Sequence, residues 1–260
     1  MKRVIALLVL LGMAACDDGS EHSSLNNTSS TNNINNTNNT NNTNQPDFVP
    51  VDYGHLFPEP FRSQEVVWEP CRLDDRDESS QAECADLVVP VHWDEPEGEV
   101  TTIHLKRLAG IASPRRRLFM LQGGPGGSST IDFPPSMMEM HLADFSLDII
   151  AVDHRGTGYS DYLLCPDQMT AASEAGSYVT GEELFACAET EIASRTHYYS
   201  GFTISNAARD VGLAVELLKE PASDSFVYGV SYGSTWAHRY AQLFPNQSRS
   251  VILDSLAIAG

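Results

Sequence analysis

The chain has 260 residues, 42% of them hydrophobic, and 35 Asp and Glu against 16 Lys and Arg, a formal net charge of −19. That balance excludes nucleic acid as a partner, because phosphate binding needs clustered cations. It argues equally against attraction to an anionic membrane surface, and it says nothing about a reaction.

Lys2 and Arg3 precede an uncharged apolar run over residues 4–11, and Met13-Ala14-Ala15 places small residues directly before Cys16. This order reads as an export signal. The cysteine at the cleavage point makes it resemble a bacterial lipoprotein signal over residues 1–15, with Cys16 as the lipid attachment residue. The run is shorter than the ~18 residues of a spanning helix. Acyl chains on Cys16 are therefore expected to anchor an exported protein to a membrane of the cell envelope. Residues 16–46 are dominated by Asn, Thr and Ser. Such a composition cannot bury enough surface to offset ordering, so a disordered tether is expected. Residues 47–260 then form one domain.

Setting Cys16 aside leaves Cys71, Cys84, Cys165 and Cys187, an even set that suits an oxidising compartment. Four cysteines allow three pairings. The local one, Cys71 with Cys84 and Cys165 with Cys187, closes short loops and is expected here. Irregular spacing and the lack of a Cys-x-x-Cys pair leave no zinc site, so no metal and no cofactor are expected.

Strand-like runs follow in order: residues 87–91, 100–108, 118–121, 148–153, 226–230 and 251–254. Most are continuous aliphatic stretches bounded by glycine-rich turns, as in buried strands of a largely parallel sheet. Residues 165–200 read as a helical excursion. Helices are expected over 207–218, with Ser205 as N-cap, and over 235–244, ending before Pro245. Alternating strands and helices define an α/β fold.

Two motifs carry chemistry. Gly229-Val230-Ser231-Tyr232-Gly233 follows an apolar strand and opens a helix. A serine hydroxyl is a poor nucleophile, and a sharp strand-to-helix turn presents it where a base can reach it. Ser231 is thus the candidate catalytic residue. Gly123-Gly124-Pro125-Gly126-Gly127 closes an earlier strand. A tetrahedral intermediate needs two N–H donors aimed at its oxyanion. Tyr232, after the nucleophile, and Gly124, in the glycine run, are the candidate oxyanion-hole donors. No Gly-Lys-Ser/Thr follows the glycines, which disfavours a phosphate loop.

These motifs, with Trp68-Glu69-Pro70-Cys71, Glu83-Cys84-Ala85, Val89-Pro90-Val91-His92-Trp93 and Asp153-His154-Arg155-Gly156-Thr157-Gly158-Tyr159-Ser160, resemble the prolyl iminopeptidase and tripeptidyl aminopeptidase family of α/β-hydrolases. The likeness runs from about Val67 to Ser255. It implies an α/β-hydrolase fold, a mostly parallel sheet flanked by helices, and exopeptidase action on peptide N-termini through an acyl-enzyme on Ser231. It also implies that Asp153 and Arg155 brace the loops behind the nucleophile. Gln122 stands where many members have His. A small ester is the alternative substrate to a peptide, for an esterase or lipase on the same scaffold; a non-catalytic surface-binding lipoprotein is the third reading.

In this fold the triad acid and histidine follow the nucleophile on later strands. The sequence stops at Gly260, just past the strand after the nucleophile helix. The expectation is therefore an incomplete catalytic domain, nearly inert alone. Asp254 is the only later acid near a plausible position, and His154 and His238 are poor substitutes for the base.

Overall fold

The computed structural model describes residues 48–111, 115–161, 180–221 and 223–256. The chain divides between Pro46 and Asp47 into two units, of which Asp47–Gly260 contains all described residues. Cys16, the signal and the tether lie outside the described residues.

Two short 3-10 turns, Gly54–Leu56 and Phe61–Ser63, lead into β1 (Glu69–Cys71), β2 (Ala82–Pro90), β3 (Val100–Leu108) and β4 (Arg116–Leu121). α1 (Ser129–Asp132) and α2 (Pro134–Ala143) cross to β5 (Leu147–Val152). α3 (Gly181–Cys187), a π-helical turn (Ala188–Ile192), α4 (Thr196–Ser200) and α5 (Ile204–Leu217) then precede β6 (Ser225–Val230), α6 (Tyr232–Leu243) and β7 (Ser250–Asp254).

The seven strands form one sheet in the order β1-β2-β3-β5-β4-β6-β7. β4, β5, β6 and β7 run parallel, as expected for the half that carries the motifs. β1, β2 and β3 pair antiparallel, and β3 is antiparallel to β5. The connection over residues 91–99 is too short for the crossover that a parallel pair needs. The Cys71–Cys84 disulfide forms across β1 and β2 with Cα atoms 5.8 Å apart. Cys187 is buried and disulfide-bonded, whereas Cys165 lies outside the described residues.

The central strands are mostly apolar because both sheet faces are covered. Along β4, Phe119 and Leu121 join the core beneath α5 and α6, while Leu118 and Met120 join Phe133 and Met137 on the other side. β5 alternates the same way, with Ile150 and Val152 against Ile149 and Ala151. Period-two side-chain alternation thus feeds two cores from one strand.

Several boundaries differ from the sequence expectations. The N-cap of α5 is Thr203, whose hydroxyl accepts the N–H of Asn206. Ser205 sits inside the helix, where its hydroxyl accepts from Arg239 Nε of α6 at 3.0 Å. Thr203 has the extended backbone that a cap requires, so it wins the position. α6 begins at Tyr232, immediately after the serine, and not at 235. α2 had no sequence expectation; it opens on Pro134 and Pro135, and proline suits a helix's first turn.

The most buried ion pair among the described residues ties α5 to the loop after β5. Arg155 is 2% exposed and Asp210 1%. Arg155 Nε donates to Asp210 Oδ2 at 2.8 Å and its NH2 group to Oδ1 at 2.6 Å. Its remaining N–H groups reach the carbonyls of Pro90, Val91 and Gly201. Trp93 Nε1 donates to the same Asp210 carboxylate. Asp210→Ala would strand a desolvated guanidinium, and the expected loss is about 3–5 kcal/mol in urea unfolding. A loss of about 0.5 kcal/mol, the size of a surface ion pair, would contradict this bracing role.

Candidate active site

The chain reverses direction between β5 and β6. β4 leads to β5 on one side, and the next parallel strand, β6, lies on the other side of β4. Loops leaving the carboxyl ends of these strands therefore diverge and open a crevice. Three of the sequence motifs occupy those ends: the glycine run after β4, His154 and Arg155 after β5, and Ser231 after β6.

Ser231 adopts φ 55° and ψ −124°, a conformation that side-chain-bearing residues seldom occupy. Such backbone costs on the order of 1–3 kcal/mol and persists only where its surroundings over-determine it. Here they do. The Ser231 N–H donates to Asp254 O of β7 at 3.0 Å, and the Ser231 carbonyl accepts from Ser234 N at 2.9 Å and Ser234 Oγ at 2.6 Å. Ser231 is exposed, and its Oγ has no hydrogen-bond partner among the described residues.

Close backbone approach completes the turn. A Cβ on Gly233 would lie 2.1 Å from the carbonyl oxygen of Leu121, so the start of α6 can sit against the end of β4 only without a side chain there. A Cβ on Gly123 would lie 2.7 Å from Ser231 Cβ, 2.7 Å from Val230 O and 2.9 Å from Tyr232 N. The glycine run is therefore in direct contact with the serine turn.

The amides at this junction are sorted by their partners. The Gly123 N–H donates to Gln122 Oε1 at 2.8 Å, and the Gly127 N–H to Gly123 O at 3.0 Å. The N–H groups of Gly124 and Tyr232 have no partner among the described residues. Tyr232 is the first residue of α6, where a helix leaves its N–H unpaired. Gln122, the departure from the family pattern, thus occupies the amide next to Gly124.

Asp153 holds the far end of the glycine loop. Its buried carboxylate accepts from Ser128 Oγ at 2.8 Å, Thr130 N at 3.0 Å, Thr130 Oγ1 at 2.6 Å and Tyr159 N at 2.9 Å. Neither Asp153 nor Arg155 contacts Ser231 by hydrogen bond. Asp254 accepts from Tyr228 OH at 2.8 Å and Ser255 Oγ at 3.0 Å. Burial, with Asp254 beside it, pushes the Tyr228 phenol well above its ordinary range. His238 is exposed on α6. His154 turns its Nδ1 to the carbonyl of Arg155 at 2.7 Å.

A cavity of about 350 Å³ opens beside the turn, between the glycine loop, His154, Tyr232 and Phe202. Phe202 escaped the sequence reading, since it follows the featureless stretch of residues 165–200 and belongs to no motif. Two larger cavities, about 720 and 770 Å³, share Asp52, Glu216 and Lys219 and are lined by neither Ser231 nor the glycine run.

Residues 116–258 match the family described as alpha/beta hydrolase fold. The chain is 26% identical over 220 residues to the serine protease Hip1 of Mycobacterium tuberculosis, covering 75% of this chain and 40% of that protein. It is 27% identical over 211 residues to a tripeptidyl aminopeptidase of Streptomyces lividans, covering 74% and 38%. Over 107 residues it is 30% identical to carboxylesterase B of Mycobacterium tuberculosis, covering 39% and 20%. The chain thus spans about 40% of the length of the first two relatives.

Gly123→Ala is expected to destabilise by about 1–3 kcal/mol, as overpacking does, because its methyl group collides with main-chain atoms that cannot rotate away. Thermal or urea unfolding measures this. A variant as stable as the parent would mean that the loop and the serine turn do not touch.

Proposed function

Because the chain belongs to the alpha/beta hydrolase fold family, we propose that it supplies the nucleophile and the oxyanion hole of a serine hydrolase that cleaves residues from peptide N-termini. The observation that carries this reading is the contact of the glycine loop with a strained, exposed Ser231 whose neighbouring amides, Gly124 and Tyr232, have no partner among the described residues.

In the reaction, Ser231 Oγ attacks the acyl carbon, and its proton passes to a general base. The carbonyl electron pair moves to oxygen, which takes up the Gly124 and Tyr232 N–H groups. Two fixed donors favour the charge that develops there over the neutral ground state. The intermediate then collapses, the C–N bond breaks, and the amine leaves with a proton. Water hydrolyses the acyl-enzyme by the same steps. Peptidase-named relatives matched over three quarters of the chain support a peptide substrate. The shorter likeness to a carboxylesterase keeps an ester as the second reading.

No histidine side chain hydrogen-bonds Ser231 among the described residues. The 260-residue polypeptide is therefore expected to hydrolyse amino-acyl p-nitroanilides roughly 10⁶-fold more slowly than a complete triad. It should still be phosphonylated by a fluorophosphonate, slowly, at Ser231 alone, as peptide mass spectrometry would register. Equal labelling of Ser231→Ala, or modification at another serine, would refute the assignment.

A further inference from the structure

The serine turn leans on the end of β7, and β7 is the last strand of the sheet, paired on one side only among the described residues. Its final residue, Asp254, lies opposite Val230 and accepts the Ser231 N–H on its main-chain oxygen at 3.0 Å. The place of that oxygen decides whether the strained turn is held. Strand ends with few partners open most readily, so the ladder alone is a weak support there.

A side-chain tie adds to the ladder. Tyr228 of β6 donates its phenol O–H to Asp254 Oδ2 at 2.8 Å. Tyr228 and Val230 are two residues apart, so their side chains leave the same face of the sheet, and Tyr228 reaches along it to the residue opposite Val230. Tyr228 is buried, and burial pushes its phenol well above the ordinary range. The hydroxyl therefore stays a donor throughout the neutral range. Hydrogen bonds to a carboxylate are roughly twice as strong as those between neutral groups. The other Asp254 oxygen accepts from Ser255 Oγ at 3.0 Å, and no histidine hydrogen-bonds to this carboxylate among the described residues.

The Tyr228 ring makes a second connection. It meets Phe133 edge to face with centroids 6.3 Å apart, and Phe133 closes α1, the short helix after the glycine loop. One side chain thus joins three pieces: the strand that leads to Ser231, the end of β7, and the helix behind the glycine run.

We propose that Tyr228 is a positioning residue for Ser231 that acts through Asp254. The phenol fixes the Asp254 side chain, and the main-chain oxygen of the same residue fixes the serine N–H. The inference rests on the reading of Ser231 as nucleophile only for its effect on rate; the tie itself is independent of that reading.

The test applies two readouts to the full chain. Fluorophosphonate labelling of Ser231, scaled to the folded fraction from thermal melting, reads the aim of the hydroxyl. Amide hydrogen exchange at Ser231, followed by NMR, reads its N–H bond whether or not the serine reacts, with Val227 in the middle of β6 as the reference. Tyr228→Phe keeps the ring on Phe133 and removes only the hydroxyl. It is expected to slow labelling roughly tenfold and to speed Ser231 exchange by a similar factor, the worth of about one hydrogen bond to a charged group. Asp254→Ala should match it, and the double variant should lose no more, since both changes remove one tie. Asp254→Asn, which keeps an acceptor for the phenol, should recover most of the rate. Equal acceleration of exchange at Ser231 and Val227, additive losses in the double variant, or a Tyr228→Phe chain that labels like the parent would each overturn the positioning role. A parent that takes no label would defeat the nucleophile reading instead, and the exchange ratio would still decide the tie.

Discussion

The structure depends on a single unfavourable residue. Ser231 sits in backbone that only its neighbours can enforce. β7 takes its N–H, the first turn of α6 takes its carbonyl, and Gly233 lets that helix start directly against β4. Release of any of these contacts would let the serine relax into ordinary conformations and lose its aim. Strain of this kind is stored where geometry matters more than stability. It also explains why the hydroxyl is exposed although the strand before it and the helix after it are buried.

The surrounding charges make sense as supports for that residue. Asp153 draws the end of the glycine loop and the turn at Tyr159 onto one carboxylate. Arg155 and Asp210 fasten the next loop to α5, and through Trp93 to the segment after β2. A buried ion pair is weak evidence for stability by itself, because desolvation offsets much of its attraction. Its use here is positional. It holds Gly201, and so the start of the Phe202 wall, at a set distance from the loop that carries His154.

Much of this was legible in the sequence, for a physical reason. The buried parallel strands announce themselves as aliphatic runs, and the glycines at 123 and 233 mark backbone contacts that admit no side chain. The α/β architecture and the pairing of Cys71 with Cys84 follow from such local signals. Other features were hidden because they depend on partners distant in sequence. Thr203 displaced Ser205 as the cap of α5, since Ser205 is drawn to Arg239 on α6. The edge-to-face packing of the His154 ring on Trp236 is invisible without the fold that brings β5's loop onto α6. The capture of the Gly123 amide by Gln122 likewise needs the turn itself, although the odd residue in the motif was visible.

The most direct test of the central claim is a crystal structure of the chain phosphonylated at Ser231. The account requires the phosphoryl oxygen within hydrogen-bond reach of both the Gly124 and the Tyr232 nitrogen, with φ at Ser231 still positive. An oxygen turned to solvent, or a serine relaxed to negative φ with the glycine loop displaced, would contradict it.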